Sequence, residues 1–125
     1  MGLISGALGN ASEIPIDKIQ AEYAPLLVPS ETLLKAFKVI RDVMIFTNKR
    51  ILLVDKQGVT GTRIEFLTIP YNKINRFAKE SAGLLDIDAS LKIWITGQSD
   101  PLVKDFKRNN AINEIYQLLS EQVLK

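Results

Sequence analysis

The chain has 125 residues, 46% hydrophobic and 24% charged, with a net charge of +2, the make-up of one ordinary globular domain able to close a core. It contains no cysteine and no histidine, which excludes disulfide frameworks, thiolate nucleophiles, Cys/His zinc sites and every Ser-His or Cys-His pair. With the commonest general base missing, the expectation is a protein with no catalytic residues, no cofactor and no metal.

Charge is spread unevenly. Residues 1–31 hold one base, Lys18, against Glu13, Asp17, Glu22 and Glu31, whereas residues 32–108 hold fourteen bases against eight acids. A mildly basic middle admits phosphate-bearing partners. No run of five like charges occurs, so nucleic-acid binding is not expected. The opening "MGLISGALGNASE" lacks a positive n-region and is broken by Gly2, Gly6 and Gly9, so it does not read as a signal peptide. Gly6 stands where myristoylation wants Ser or Thr, and no apolar run reaches membrane-spanning length. The expected location is the cytoplasm.

In chain order, "IPIDKIQAEYAPLL" sets Ile16, Ile19, Tyr23 and Leu26/Leu27 near helical spacing, with Glu13 and Asp17 at the end that favours anions. Pro25 and Pro29 disturb its continuation, which predicts one helix over about 14–24. The apolar period then changes to two. Seven runs follow: "TLLKAFKVI", "DVMIFT", "RILLVD", "TRIEFLTI", "INRFAKE", "ASLKIWIT" and "PLVKDFK", each bounded by turn residues and each read as a strand. Pro70 ends the fourth. Two runs break alternation, "TRIEFLTI" (Ile64 and Phe66, then Leu67 and Ile69) and "INRF" (Ile74 and Phe77), and both are read as bulged or coiled strands. After Asn109-Asn110, read as a cap pair, Ile112, Ile115, Tyr116, Leu119 and Val123 form the single apolar stripe of a C-terminal helix.

Three short motifs yield to plain readings. "GVTG" at Gly58–Gly61 has the spacing of a nucleotide-clamping loop but lies between strands, where a hairpin turn is the simpler reading. "DIDAS" has calcium-loop spacing through Asp86, Asp88 and Ser90, but lacks the glycine and the glutamate that such a loop needs. Lys49-Arg50, at the tip of a hairpin, reads as a turn rather than a binding finger, because Asn48 tolerates the conformation a tight turn demands.

That hairpin is the most informative stretch. A two-residue turn at Asn48-Lys49 pairs Phe46 with Ile51, Ile45 with Leu52, Met44 with Leu53 and Val43 with Val54. Both faces are then apolar: Met44, Phe46, Ile51 and Leu53 on one, Val43, Ile45, Leu52 and Val54 on the other. Leaving one set in water would forfeit roughly 1.5–3 kcal/mol per side chain. The cover can come from the N-terminal helix, through Ile16, Ile19 and Tyr23, or from a second copy of the chain; a combination is expected. Met44, Phe46, Ile16 and Tyr23 are therefore candidates for self-association. Trp94 joins them: in "ASLKIWIT" it falls on the polar side, opposite the inward set Ala89, Leu91, Ile93 and Ile95, where a lone Trp either packs under a helix or anchors an interface.

"FTNKRILLVDKQGVTG", "EFLTIPYNKI" and "SLKIWITGQ", preceded by "MGLISGALGNASE", resemble the bacterial pleckstrin-homology (PH) family, small stand-alone domains without an established activity. The resemblance spans nearly the whole chain. It implies a mainly β fold with α, a PH-like barrel of seven antiparallel strands in two nearly orthogonal sheets (4+3), capped by a C-terminal helix. An N-terminal helical extension over 1–30 would precede the PH-like domain at 31–125. It also implies ring-like homo-oligomers and no enzymatic activity. Phosphoinositide-binding relatives place Lys and Lys/Arg-x-Arg around the first hairpin loop. Here Lys35, Lys38 and Arg41 depart from that spacing and Asp42 sits at the tip, so specific phosphoinositide recognition is not expected.

The function expected is a non-enzymatic interaction module, a scaffold that partners itself and a protein or peptide. The alternative is a weak anionic-membrane or phosphate binder using Lys35, Lys38 and Arg41.

Overall fold

The change of apolar period after Pro29 is where strands begin. The computed structural model describes residues 13–39, 42–57, 62–81, 88–107 and 111–125. Seven strands follow in order: β1 (Leu33–Val39), β2 (Asp42–Thr47), β3 (Arg50–Gln57), β4 (Arg63–Pro70), β5 (Ile74–Ser81), β6 (Asp88–Ile95) and β7 (Leu102–Lys107). Helix α1 (Ile16–Tyr23) precedes them, running into a 3-10 turn at Ala24–Leu26, and α2 (Ala111–Val123) follows. The strands form two antiparallel sheets, β1-β2-β3-β4 and β5-β6-β7. The expected cap at Asn109-Asn110, the "GVTG" turn, Arg41 and Asp86 lie outside the described residues.

The chain divides into two compact units, and α1 belongs with the first sheet in Glu13–Tyr71. Pro15 opens α1 with its carbonyl accepting from Lys18 and Ile19, and Asp17 sits in the first turn, where the helix dipole favours an anion. Pro25 then enters the 3-10 turn at an early position, which tolerates its missing N–H. The helix lays Ile19 and Tyr23, four residues apart and so on one face, against Ala36, Val43, Ile45, Leu52 and Val54, with Ile14 and Leu33 packed beside them.

The hairpin pairs as its sequence predicts, from Phe46↔Ile51 to Val43↔Val54. All eight of its apolar side chains are buried, Val43 being the most open at 9%. This corrects one expectation. The chain supplies its own cover for the outer face through α1, so the hairpin needs no second copy. Met44 and Phe46 have no exposed surface and Tyr23 is buried. These three are core residues rather than a seam, and Ile16 is half-buried. On the opposite face Phe37 and Phe46 meet edge to face at 6.1 Å, a favoured aromatic geometry.

Register irregularities fall between Leu33 and Lys35 in β1 and between Ile74 and Arg76 in β5. The second is the slip expected in "INRF". The slip expected in "TRIEFLTI" does not occur: β4 pairs with β3 without interruption from Arg50↔Pro70 to Gln57↔Arg63. Its broken alternation has another cause. Ile64 and Phe66 stand outward, each 48% exposed, while Ile69 points into the core.

In the second unit, Ala89, Leu91, Ile93 and Phe106 make one buried sheet face, joined by Ala111, Ile112, Ile115 and Leu119 of α2 in the buried set. Ile95, expected in the same inward set, is half-buried. Phe77 meets Tyr116 edge to face at 5.4 Å, and Lys79 donates to Asn113 Oδ1 at 2.6 Å. Tyr116 lies at the margin of the stripe and keeps 37% of its surface. The turn after β6 closes with Gln98 N–H donating to the Ile95 carbonyl. It places Gly97 at φ +91°, a conformation that a Cβ would strain.

Candidate functional site: an open strand edge locked by a polar knot

A compact polar knot fixes one end of the first sheet. Glu31 lies just before β1 with its side chain 1% exposed, facing the Arg50 side chain at 18%. Arg50 Nε donates to Glu31 Oε2 at 2.8 Å and Nη2 to Oε1 at 2.9 Å, a two-pronged grip matched to a carboxylate. The Thr47 hydroxyl donates to Glu31 Oε2 at 2.7 Å, and Val28 N–H donates to Oε1 at 3.2 Å. Arg50 also reaches the Leu26 carbonyl and Thr68 Oγ1. A carboxylate so supplied is satisfied despite its burial. The Arg50 hydrogen bonds, helped by Thr47 and Val28 and opposed by burial, hold the Glu31 carboxyl at about 2, and the same contact raises Arg50.

The hairpin tip is built into this knot. Lys49 and Arg50 N–H groups both donate to Thr47 Oγ1 at 3.0 Å, so a hydroxyl closes the turn. Asn48 exchanges bonds with Thr32 and donates to the Ser30 carbonyl. Tyr71 donates to the Thr47 carbonyl at 2.6 Å, and burial pushes its hydroxyl pKa up. Arg50 is thus committed inward, which leaves the Lys49-Arg50 pair as a turn.

The two edges of this sheet differ. Along β1, Ile14 N–H donates to the Ala36 carbonyl and Glu13 bridges to Phe37, so the residues ahead of α1 occupy part of that edge. β4 is the other edge. Because Arg50 N–H points toward β2, strand alternation directs Ile51, Leu53 and Asp55 toward β4, where they meet Ile69, Leu67 and Glu65. Ile64, Phe66 and Thr68 therefore turn their backbone N–H and C=O groups away from β3. Among the described residues, no backbone hydrogen bond from another segment reaches them. On the same face, Phe66 and Ile64 continue the row begun by Val54, past the part that α1 covers. Leu26, whose carbonyl Arg50 holds while it also reaches Thr68, is 42% exposed, and Val28, bonded to Glu31, is 48% exposed. The result, among the described residues, is an unoccupied strand edge beside exposed apolar side chains, a combination suited to adding a strand.

Of the three residues expected to bind anions, two lie among the described residues. Lys35 Nζ lies 2.9 Å from Glu13 Oε2, Lys38 is exposed on β1, and Arg41 lies outside the described residues. Trp94 is partly exposed with Arg76 4.4 Å from its ring centroid. No helix among the described residues is long and apolar enough to cross a membrane.

A model of the bacterial PH domain matches residues 2–123. The chain belongs to the bacterial PH-domain family. This bacterial PH domain is similar to the uncharacterised protein YjqA of Bacillus subtilis (strain 168), with 48% identity over 96% of this chain and 97% of that one. A crystal structure of a pleckstrin homology domain from Shewanella amazonensis SB2B superimposes with a TM-score of 0.84 at 43% identity, covering 98% of this chain and 99% of the other. A second, from Shewanella loihica PV-4, gives 0.81 at 42% identity over 90% of this chain and 96% of that one. The four-plus-three sheets and the C-terminal helix are the PH arrangement, and α1 covers part of the first sheet.

Proposed function

We propose that this bacterial PH domain is a non-enzymatic interaction module that assembles with copies of itself into a ring-like homo-oligomer and receives a protein or peptide partner. The observation that carries the proposal is the β4 edge: outward-directed backbone groups at Ile64, Phe66 and Thr68 flanked by half-exposed Ile64 and Phe66. Edges of this kind recruit another strand unless they are blunted. Arg63 and Pro70 border the edge, and Glu65, exposed between Ile64 and Phe66, belongs to the alternate set that meets β3. An edge that meets a different surface on the next copy makes a head-to-tail contact, and repeated head-to-tail contacts form a ring when the rotation between copies closes.

Light scattering tests this. The native chain is expected to run at several times 14.0 kDa, and Phe66→Glu to remain folded while the mass falls. A native species of one chain's mass across micromolar concentrations would defeat the proposal. Binding to anionic membranes draws less support, since Lys35 is already neutralised by Glu13.

A further inference from the structure

The second sheet has a face turned away from α2, where two polar contacts among the described residues are closed locally. In register, Arg76 stands opposite Trp94, Lys92 opposite Val103, and Ser90 opposite Asp105. Lys92 Nζ lies 3.2 Å from Glu80 Oε1, and Ser90 donates to Asp105 at 2.7 Å. Arg76 is exposed and, among the described residues, has no carboxylate partner. Its guanidinium instead sits 4.4 Å from the Trp94 ring centroid. A cation–π contact of this kind holds a long side chain in place without consuming its N–H groups as hydrogen-bond donors.

We propose that Arg76 and Trp94 form an anchor for a carboxylate, the Asp or Glu side chain of a protein segment that lays a neighbouring apolar side chain against Trp94 and Val103. Charge complementarity selects this occupant. One guanidinium fork matches one carboxylate. One guanidinium neutralises a singly charged carboxylate, but leaves a dianionic phosphate with unbalanced charge beside Asp105. The apolar half of the contact is present in Val103, 44% exposed on the adjacent strand, at the diagonal position from Trp94 that cross-strand geometry keeps within reach of a large side chain. Trp and Arg are also the residues that most often dominate protein interfaces. The anchor is independent of the β4 edge, so Phe66→Glu leaves it intact.

Trp94 is the chain's one tryptophan, so its fluorescence reports directly. The probes are the capped pentapeptide acetyl-Gly-Leu-Glu-Leu-Gly-amide and its twin with glutamine at the centre. The glutamate peptide is expected to shift Trp94 emission saturably with a Kd on the order of millimolar. The glutamine peptide, and Arg76→Gln with the glutamate peptide, should bind at least about tenfold more weakly. Arg76→Lys keeps the charge but loses the fork, and should fall between. Arg76 is exposed, and unchanged far-ultraviolet circular dichroism of both variants checks that the fold survives. Equal responses to the two peptides, or an unaffected Arg76→Gln, would overturn the anchor. So would tighter binding of inorganic phosphate or phosphatidylserine vesicles than of the glutamate peptide.

Discussion

Arg50 grips both oxygens of the Glu31 carboxylate across a separation of nineteen residues, at 2.8 and 2.9 Å. This contact ties the segment before β1 to the hairpin tip and to β4. Its pH dependence follows from the lowered Glu31 pKa. The carboxyl titrates at about 2 in the folded chain against an ordinary value of 4.5. Its contribution is therefore complete above about 4.5 and is lost as pH falls toward 2. Glu31→Gln should lower stability at pH 7 by about 3 kcal/mol, because it leaves Arg50 partly buried without its counter-charge. The variant should also lose part of the native chain's decline between those pH values. Urea unfolding at pH 7, 4 and 3 checks both.

Thr47 Oγ1 caps the hairpin turn, accepting from Lys49 and Arg50 and donating to Glu31. Thr47→Val keeps the branched shape but takes the side-chain acceptor from the Lys49 and Arg50 N–H groups and one donor from Glu31. It should cost about 2 kcal/mol, whereas Asn48→Gly should cost less. Thermal unfolding of the two variants ranks them.

Phe46 and Phe66 separate core from edge. Phe46 is fully buried and Phe66 is 48% exposed. Phe46→Glu should fail to fold, since an unpaired charge cannot be accommodated there, while Phe66→Glu should keep its cooperative transition. Ile19→Ala, at the centre of the helical cover, should cost about 2–4 kcal/mol without changing the mass seen by light scattering. Circular dichroism with light scattering distinguishes the three.

Much of the fold was legible from residues alone. The seven strands, the hairpin register and the inward Ala89, Leu91 and Ile93 follow from period-two patterning and a turn that fixes pairing. The cover of the hairpin was misattributed in part. Only Ile19 and Tyr23 of α1 are buried, and a helix of eight residues gives little sign that two side chains can close a sheet face. Ile64 and Phe66 were read as a bulge on the premise that apolar residues in a strand point inward. An edge strand does not obey that premise, and strand order, which made β4 the edge, is not written in local pattern. The Glu31–Arg50 knot also escaped notice, because residues nineteen apart share no periodicity. A Thr and an Arg bracketing a tight turn are its one local sign. The Arg76–Trp94 pairing depends on the irregularity between Ile74 and Arg76, which shifts the opposing residue.

Whether another strand docks on β4 is read most directly at the backbone. Hydrogen–deuterium exchange followed residue by residue should find the Ile64, Phe66 and Thr68 amides slow at high protein concentration and fast on dilution. Fast exchange of all three at every concentration, in a chain that otherwise stays folded, would contradict the assignment of this edge as the assembly surface.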